Sequence, residues 1–266
     1  MAHIRIRNLW HQYGDKIVLE QINLDVERRT FCALAGPSGC GKSTFLRLLL
    51  GQERPVRGTI ELDGKPLPPE PGPDRGVVFQ RYSVFPHLTV MENVLLGLEF
   101  ARAPRLGRLF GPRRRQAIDE AERYLEAVGL HADRDRLPHA LSGGMRQRLS
   151  IAQALICKPQ VLLLDEPFGA LDPGTKDSIH QLVLKLWRET DMTVFLVTHD
   201  LSEAFKLGSR VLVFDRLRHD PQAPERFGAT ITYDLRLDRK TATLNELPGA
   251  AADAARGDAE ILPLSA

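Results

Sequence analysis

Residues 36–44 read Gly36-Pro37-Ser38-Gly39-Cys40-Gly41-Lys42-Ser43-Thr44, which is the spacing G-x-x-x-x-G-K-[ST]. Such a run does one kind of chemistry. Its glycines let the backbone curl so that successive N–H groups face an anion, and a helix starting at its end adds a partial positive charge. The lysine reaches the β- and γ-phosphates of a nucleotide, and the Ser43 hydroxyl can ligate Mg²⁺. A second place with chemistry is Val161-Leu162-Leu163-Leu164-Asp165-Glu166, where two carboxylates end an apolar run. If that run is a buried strand, the acids stand at its tip, where ligands of α/β sheets gather. Asp165 is then expected to hold the metal and Glu166 to polarise the attacking water as general base. Ser142 ahead of Gly143-Gly144 is a third place, since a capping serine and two glycines at a helix start make another phosphate-facing N-terminus.

The patterns around these residues predict what positions them. Ile4 and Ile6 alternate with polar neighbours, as do Ile22, Leu24 and Val26, which reads as half-buried antiparallel strands. Phe31–Ala35 is a short apolar strand feeding the glycine loop, and Ser43–Leu50 is the helix leaving it, stopped by Gly51. Thr59–Leu62 with Asp63-Gly64 reads as strand and turn, and five prolines make residues 64–74 a loop. Gly76–Gln80 is a short buried strand. Thr89-Val90-Met91-Glu92 is a capping-box pattern that opens a helix through Phe100. Residues 101–116 read as an Arg-, Gly- and Pro-rich connection, and a helix follows with Ala117, Ala121, Leu125 and Val128 on one face. Beyond it lie a helix over Ser142–Cys157, the strand Val161–Leu164, a helix over Ile179–Glu189, and the strand Val194–Thr198. A helix capped by Asp200 and the strand Arg210–Phe214 complete the pattern. Apolar strands alternating with helices make an α/β fold with a parallel-sheet core. The helical stretch 89–157 interrupts that alternation and reads as an inserted subdomain. Thr230–Leu237 alternates as one added edge strand, and residues 250–266 lack a core pattern, as a loose tail would.

Composition narrows the class. The chain has 266 residues, 43% hydrophobic and 26% charged, which suits a globular domain. Its net charge of +2 argues against a dedicated nucleic-acid binder. No run of 18 apolar residues is present, and the N-terminus carries no apolar leader pattern. The three cysteines, Cys32, Cys40 and Cys157, are scattered, which fits a reducing compartment and not a disulfide framework. Cys40 in the loop is expected to be sensitive to alkylation.

Leu141-Ser142-Gly143-Gly144-Met145 resembles the LSGGQ signature of ATP-binding-cassette (ABC) transporter nucleotide-binding subunits. The resemblance covers about residues 1–220 and departs from the common signature at Met145. It implies a P-loop NTPase fold with an N-terminal antiparallel β subdomain, a parallel-sheet core and an inserted helical subdomain, one domain over residues 1–249. Gln80 matches the Q-loop glutamine that contacts Mg²⁺ and the γ-phosphate, and His199 matches the switch histidine. Ala170-Leu171-Asp172 resembles the D-loop, and Tyr13 sits where the family stacks an aromatic ring on adenine. The resemblance implies ATP and Mg²⁺, with two ATPs sandwiched in a head-to-tail homodimer and Ser142, Gly143 and Gly144 serving the partner's nucleotide. It further implies transmembrane permease subunits, an extracytoplasmic solute-binding protein reached through them, and a place on the cytoplasmic face of the inner membrane. Residues 81–88, with Tyr82, Phe85 and His87, would meet the permease. The overall look is most similar to nitrate, sulfonate and taurine importers, with Gly76–His87 and Arg218–Pro224 more like a urea- or guanidine-associated branch. The alternative is an ABC ATPase of a non-importing complex, whether an exporter, a lipid-transfer system or a soluble ATPase associated with nucleic acid or ribosomes. The arginines of 101–116 read as a solvated charged loop, or as a contact to anionic lipid or acidic permease loops.

Overall fold

The computed structural model describes residues 3–79, 84–103, 108–169, 171–218, 220, 222–223, 225–237 and 259–261. The chain divides into two compact units, Met1–Gly72 with Asp191–Ala266, and Pro73–Thr190.

In the first unit β1 (Ile4–Tyr13) and β2 (Lys16–Val26) run antiparallel, with Ile4 opposite Val26 and Ile6 opposite Leu24. The period-two alternation puts these apolar side chains on one face, where all four are buried. β3 (Phe31–Ala35) is buried along its whole length and feeds the glycine loop. The helix α1 (Lys42–Leu50) leaves that loop and ends at Gly51, whose left-handed backbone turns its N–H back to the carbonyls of Arg47 and Leu48. β4 (Arg57–Leu62) pairs with β1, and β5 (Lys65–Pro66) pairs with β4. The five-proline stretch therefore opens as a strand rather than as loop throughout. Asp63 and Gly64 both take positive φ, 51° and 73°, the geometry of a tight hairpin turn. Pro66 is tolerated because β5 is the edge of its four-stranded sheet.

The second unit pairs β6 (Arg75–Val78) in parallel with β7 (Val161–Asp165), Val78 opposite Leu164. Between these strands in sequence lie α2 (Val90–Arg102), α3 (Gly111–Ala127) and α4 (Gly143–Leu155), and after them α5 (Pro173–Arg188). Both bonds of the predicted capping box form at α2: Glu92 N–H donates to Thr89 Oγ1 at 3.2 Å, and Thr89 N–H to Glu92 Oε2 at 2.8 Å. Val90, Val94, Leu98, Ala117, Ala121, Leu125, Leu149 and Ala152 bury together as the core of the three helices. The connection before α3 is shorter than 101–116. The helix starts at Gly111 because Pro112 suits a first turn and Leu109, 4% exposed, is drawn into the core. Four of the six arginines within 101–116, Arg102, Arg113, Arg114 and Arg115, therefore lie on helices. Two of them are tied down, Arg114 to Glu99 at 3.1 Å and Arg102 to Glu120 at 2.7 Å. The compact unit is also wider than the helical stretch 89–157, since it takes in β6, β7 and α5.

Glu120 ties α3 to α2 through Arg102 and to the segment after α4 through Lys158, at 2.9 Å. The Arg102 hydrogen bond, with help from Lys158, holds its carboxyl below the ordinary value of 4.5. A depressed folded-state value means this contribution is present above about pH 4.5 and is lost as pH falls through the lower value. Glu120→Gln is therefore expected to lower the thermal midpoint at pH 7 and to match wild type more closely near pH 3. Melting curves across that window check the sign.

The chain returns to the first unit with β8 (Thr193–Val197), α6 (Leu201–Leu207), β9 (Arg210–Asp215), β10 (Thr230–Leu237) and β11 (Ala259–Ile261). β3 lies between β8 and β9, parallel to both, and β10 is antiparallel to β9. β10 is not an edge, because β11, inside the stretch expected to be a loose tail, pairs with it. Arg210 and Asp234 lock β9 to β10 in a buried two-pronged pair, with Arg210 Nε 2.7 Å from the carboxylate.

Candidate nucleotide-binding site

The loop 36–44 is shaped before any ligand arrives. Gly36 has φ 137°, and a Cβ there would fall 2.1 Å from the carbonyl oxygen of Phe214 on β9. No side chain fits between the loop and that strand. α1 is capped by Gly41, which offers no side-chain acceptor to the N–H groups of the first turn. Among the described residues every other α-helix except α3 satisfies such a group with a side chain, from Thr89, Ser142, Asp172 or Asp200. Uncapped N–H groups behind a curled backbone are what an incoming phosphate needs. Lys42 is 5% exposed and folds over the loop, with Nζ donating to the carbonyls of Gly36 at 2.7 Å and Pro37 at 2.8 Å. Its third donor faces Cys40 Sγ at 3.5 Å. Cys40 itself is 4% exposed, so the thiol expected to alkylate readily is buried. The loop turns this sulfur inward, toward the Lys42 ammonium. Pro37, Ser38 and Gly39 form the exposed rim, Ser43 is partly buried, and Thr44 is buried.

His199 and Tyr13 belong to the same unit. β3 and β8 pair with Leu34 opposite Val197, so Gly36 and His199 both leave their strands two residues further on, at one edge. His199 is exposed there, and Asp200 behind it caps α6 by accepting from the N–H groups of Ser202 and Glu203. Tyr13 is 45% exposed, with its hydroxyl donating to Glu53 at 2.5 Å and its ring edge-on to His11. A ring held by its hydroxyl and open on the surface can stack on a base.

The second unit carries the carboxylates. Asp165 ends β7 and Glu166 follows it, each partly buried. Glu166 has φ 47°, a left-handed conformation uncommon for a side chain of that size. The turn is held by Gly169 N–H to the Glu166 carbonyl and by Phe168, 1% exposed, edge-on to His180 at 4.6 Å. Ser142 caps α4 by accepting from Met145 N–H at 3.2 Å, followed by Gly143 and Gly144. Gly144 has a second reason to be glycine, since a Cβ there would fall 2.3 Å from Thr175 Cγ2 at the start of α5. Asp172 caps α5, and the Thr175 N–H holds its carboxyl below the ordinary range. Gln80, Ala170 and residues 81–83 lie outside the described residues.

The sequence profile described as ABC transporter matches residues 19–169. This chain belongs to the ABC transporter family. The nitrate import ATP-binding protein NrtD of Synechocystis sp. is 44% identical over 75% of this chain and 71% of its own length. The taurine import ATP-binding protein TauB of Escherichia coli O157:H7 is 43% identical over 79% of this chain and 78% of its own. A bacterial ABC transporter cassette solved as a dimer superimposes with a TM-score of 0.71 at 30% identity, covering 88% of this chain and 99% of that one. The family's fold of mixed sheet, parallel core and helical insertion is the one described above, and the family's reaction is ATP hydrolysis.

In this ABC ATPase one residue escaped the sequence reading. Asn93, 1% exposed, accepts from Phe85 N–H at 2.8 Å and donates to the carbonyls of Phe85, Leu88 and Thr89 at 2.9–3.1 Å. Gln153 on α4 donates in turn to Asn93. The loop that presents Phe85, 42% exposed, is thus fixed by one buried amide. Its signal was a lone polar residue on the apolar face Val90, Val94, Leu98 of a capped helix.

Proposed function

We propose that this chain is the ATP-hydrolysing subunit of a membrane importer for a small polar solute or anion. The observation that carries the reading is identity above 40%, over three quarters of the chain, to relatives named as nitrate and taurine import ATP-binding proteins. Loop 36–44 holds the nucleotide phosphates on its backbone N–H groups and Lys42, and Tyr13 stacks on the adenine. Ser43, Asp165 and Gln80 are oxygen donors of the hard kind Mg²⁺ takes, and when bound the ion neutralises phosphate charge. Glu166 accepts the proton of the attacking water, and His199 and Gln80 face the γ-phosphate. Ser142, Gly143, Gly144 and Asp172 serve the nucleotide of a second copy, so the ATP-bound form is a homodimer. Phe85 and His87 grip a permease segment, and loss of the γ-phosphate is passed to it as rigid-body motion. The subunit works at the cytoplasmic face of the membrane, and the solute reaches it through a binding protein and permease. Among the described residues no helix is long and apolar enough to cross a membrane.

The test is to solubilise native membranes in detergent, recover the tagged protein and identify what accompanies it. A multi-spanning permease at matched stoichiometry, encoded beside a solute-binding protein, is the expected result. Recovery of soluble partners alone would overturn the importer and leave the ATPase.

A further inference from the structure

We infer that residues 225–229, together with the Arg218–Glu20 ion pair, clamp β2 and thereby set the geometry of the nucleotide loop, which makes Arg218 and Glu20 positioning residues for ATP. The inference rests on the reading of loop 36–44 as the ATP site. Residues 225–229 are stitched along β2 by three backbone bonds: Ile17 N–H to the Glu225 carbonyl at 3.0 Å, Ala229 N–H to Val18 at 2.9 Å, and Glu20 N–H to Ala229 at 2.9 Å. The contact is so close that a Cβ on Gly228 would fall 2.9 Å from the carbonyl carbon of Leu19. Glu20, 5% exposed, closes the clamp, accepting from Arg218 Nη2 at 2.8 Å and from Gly228 N–H at 3.3 Å. The Arg218 guanidinium lies 4.3 Å over the Phe227 ring, which fixes its direction.

The gripped residues are the ones that touch the loop. A Cβ on Gly41 would meet Leu19 Cδ2 at 2.7 Å and Val18 Cγ1 at 2.9 Å, so these side chains back the cap of α1. On the other side Ile17 pairs with Gln12 and Lys16 with Tyr13, so the clamp begins one pair from the ring proposed for adenine. The hairpin alone pins this geometry poorly, because the β1–β2 register shifts at three places between Ile6 and Gln12. A buried carboxylate needs its partners, and a strand carrying one admits a single register. An apolar residue at position 20 would bury as well but would not choose where β2 stops.

The experiment titrates purified full-length protein with a fluorescent N-methylanthraniloyl ATP and records thermal unfolding of the same samples. Arg218 is half exposed on its outer side, so Arg218→Ala is expected to fold. Its Kd for the nucleotide is expected to rise at least about threefold, as lost preorganisation does, with Arg218→Lys restoring most of the affinity. Glu20→Gln provides the second variant and is expected to weaken binding in the same direction. A lower melting temperature with Kd within twofold of wild type in both variants would mean that the clamp only stabilises, and would overturn the inference. Lys42→Ala separates the two layers of the argument. Binding lost in Lys42→Ala but unchanged in the clamp variants removes the clamp alone, whereas wild-type binding by Lys42→Ala removes the ATP site and the clamp's role with it.

Discussion

Glu166→Gln is expected to bind ATP, to accumulate as a stalled dimer, and to lose ATP turnover by a factor of about 10² or more, the usual effect of removing a general base. The amide keeps the shape and one acceptor oxygen of the carboxylate but cannot take a proton. Glu166 sits at φ 47°, immediately after a buried strand and ahead of a turn pinned by Phe168. A backbone so fixed tolerates the exchange without rearrangement, because the left-handed conformation is set by the turn and not by the side chain's charge. Size-exclusion chromatography with ATP, alongside phosphate release, reads the two halves of the expectation separately. Wild-type turnover in Glu166→Gln would remove the residue from the base role.

The second large effect is expected at Gly144. A methyl group there meets Thr175 Cγ2 at 2.3 Å, well inside contact distance, where α4 approaches the first turn of α5. Overpacking of this kind costs about 1–3 kcal/mol, so Gly144→Ala is expected to lower both the melting temperature and the ATPase rate. The double variant Gly144→Ala with Thr175→Ser removes the clashing methyl and keeps the Thr175 backbone N–H that Asp172 accepts. Its melting temperature should return toward wild type. If its ATPase returns as well, the glycine serves packing. If the fold recovers and the ATPase stays lost, the glycine serves the partner's nucleotide too. A single variant cannot separate these roles, because both forbid a side chain.

What could be read from the sequence was local. Strand Phe31–Ala35, the glycine loop and the helix after it are adjacent in the chain, so the elements that frame the candidate anion site were legible from their order alone. The capping box at Thr89 is legible for the same reason, since four consecutive residues make both of its bonds. What escaped depends on side-chain direction and packing, which the order of residue types leaves open. Asn93 acts on a loop that precedes its helix, and one polar residue on an apolar face gives no direction. The burial of Cys40 follows from how the loop curls, which the pattern of residue types leaves open. The early start of α3 was masked because Gly111-Pro112 and three arginines read as loop composition, although proline is at home in a first helical turn. The second reason for Gly144 lies 31 residues away, at Thr175.

Lys42 holds three donors and spends all three inside its own loop, two on carbonyl oxygens and one toward the Cys40 sulfur. In the ATP site proposed for this loop, an arriving phosphate enters by substitution, displacing an acceptor that the ammonium already holds. The sulfur is the weakest of the three and the natural leaving group. The buried lysine never stands as a bare charge, and the loop has no reason to collapse around one. Departure of the product is the same exchange in reverse, with the Cys40 sulfur again accepting the ammonium N–H that had turned to phosphate.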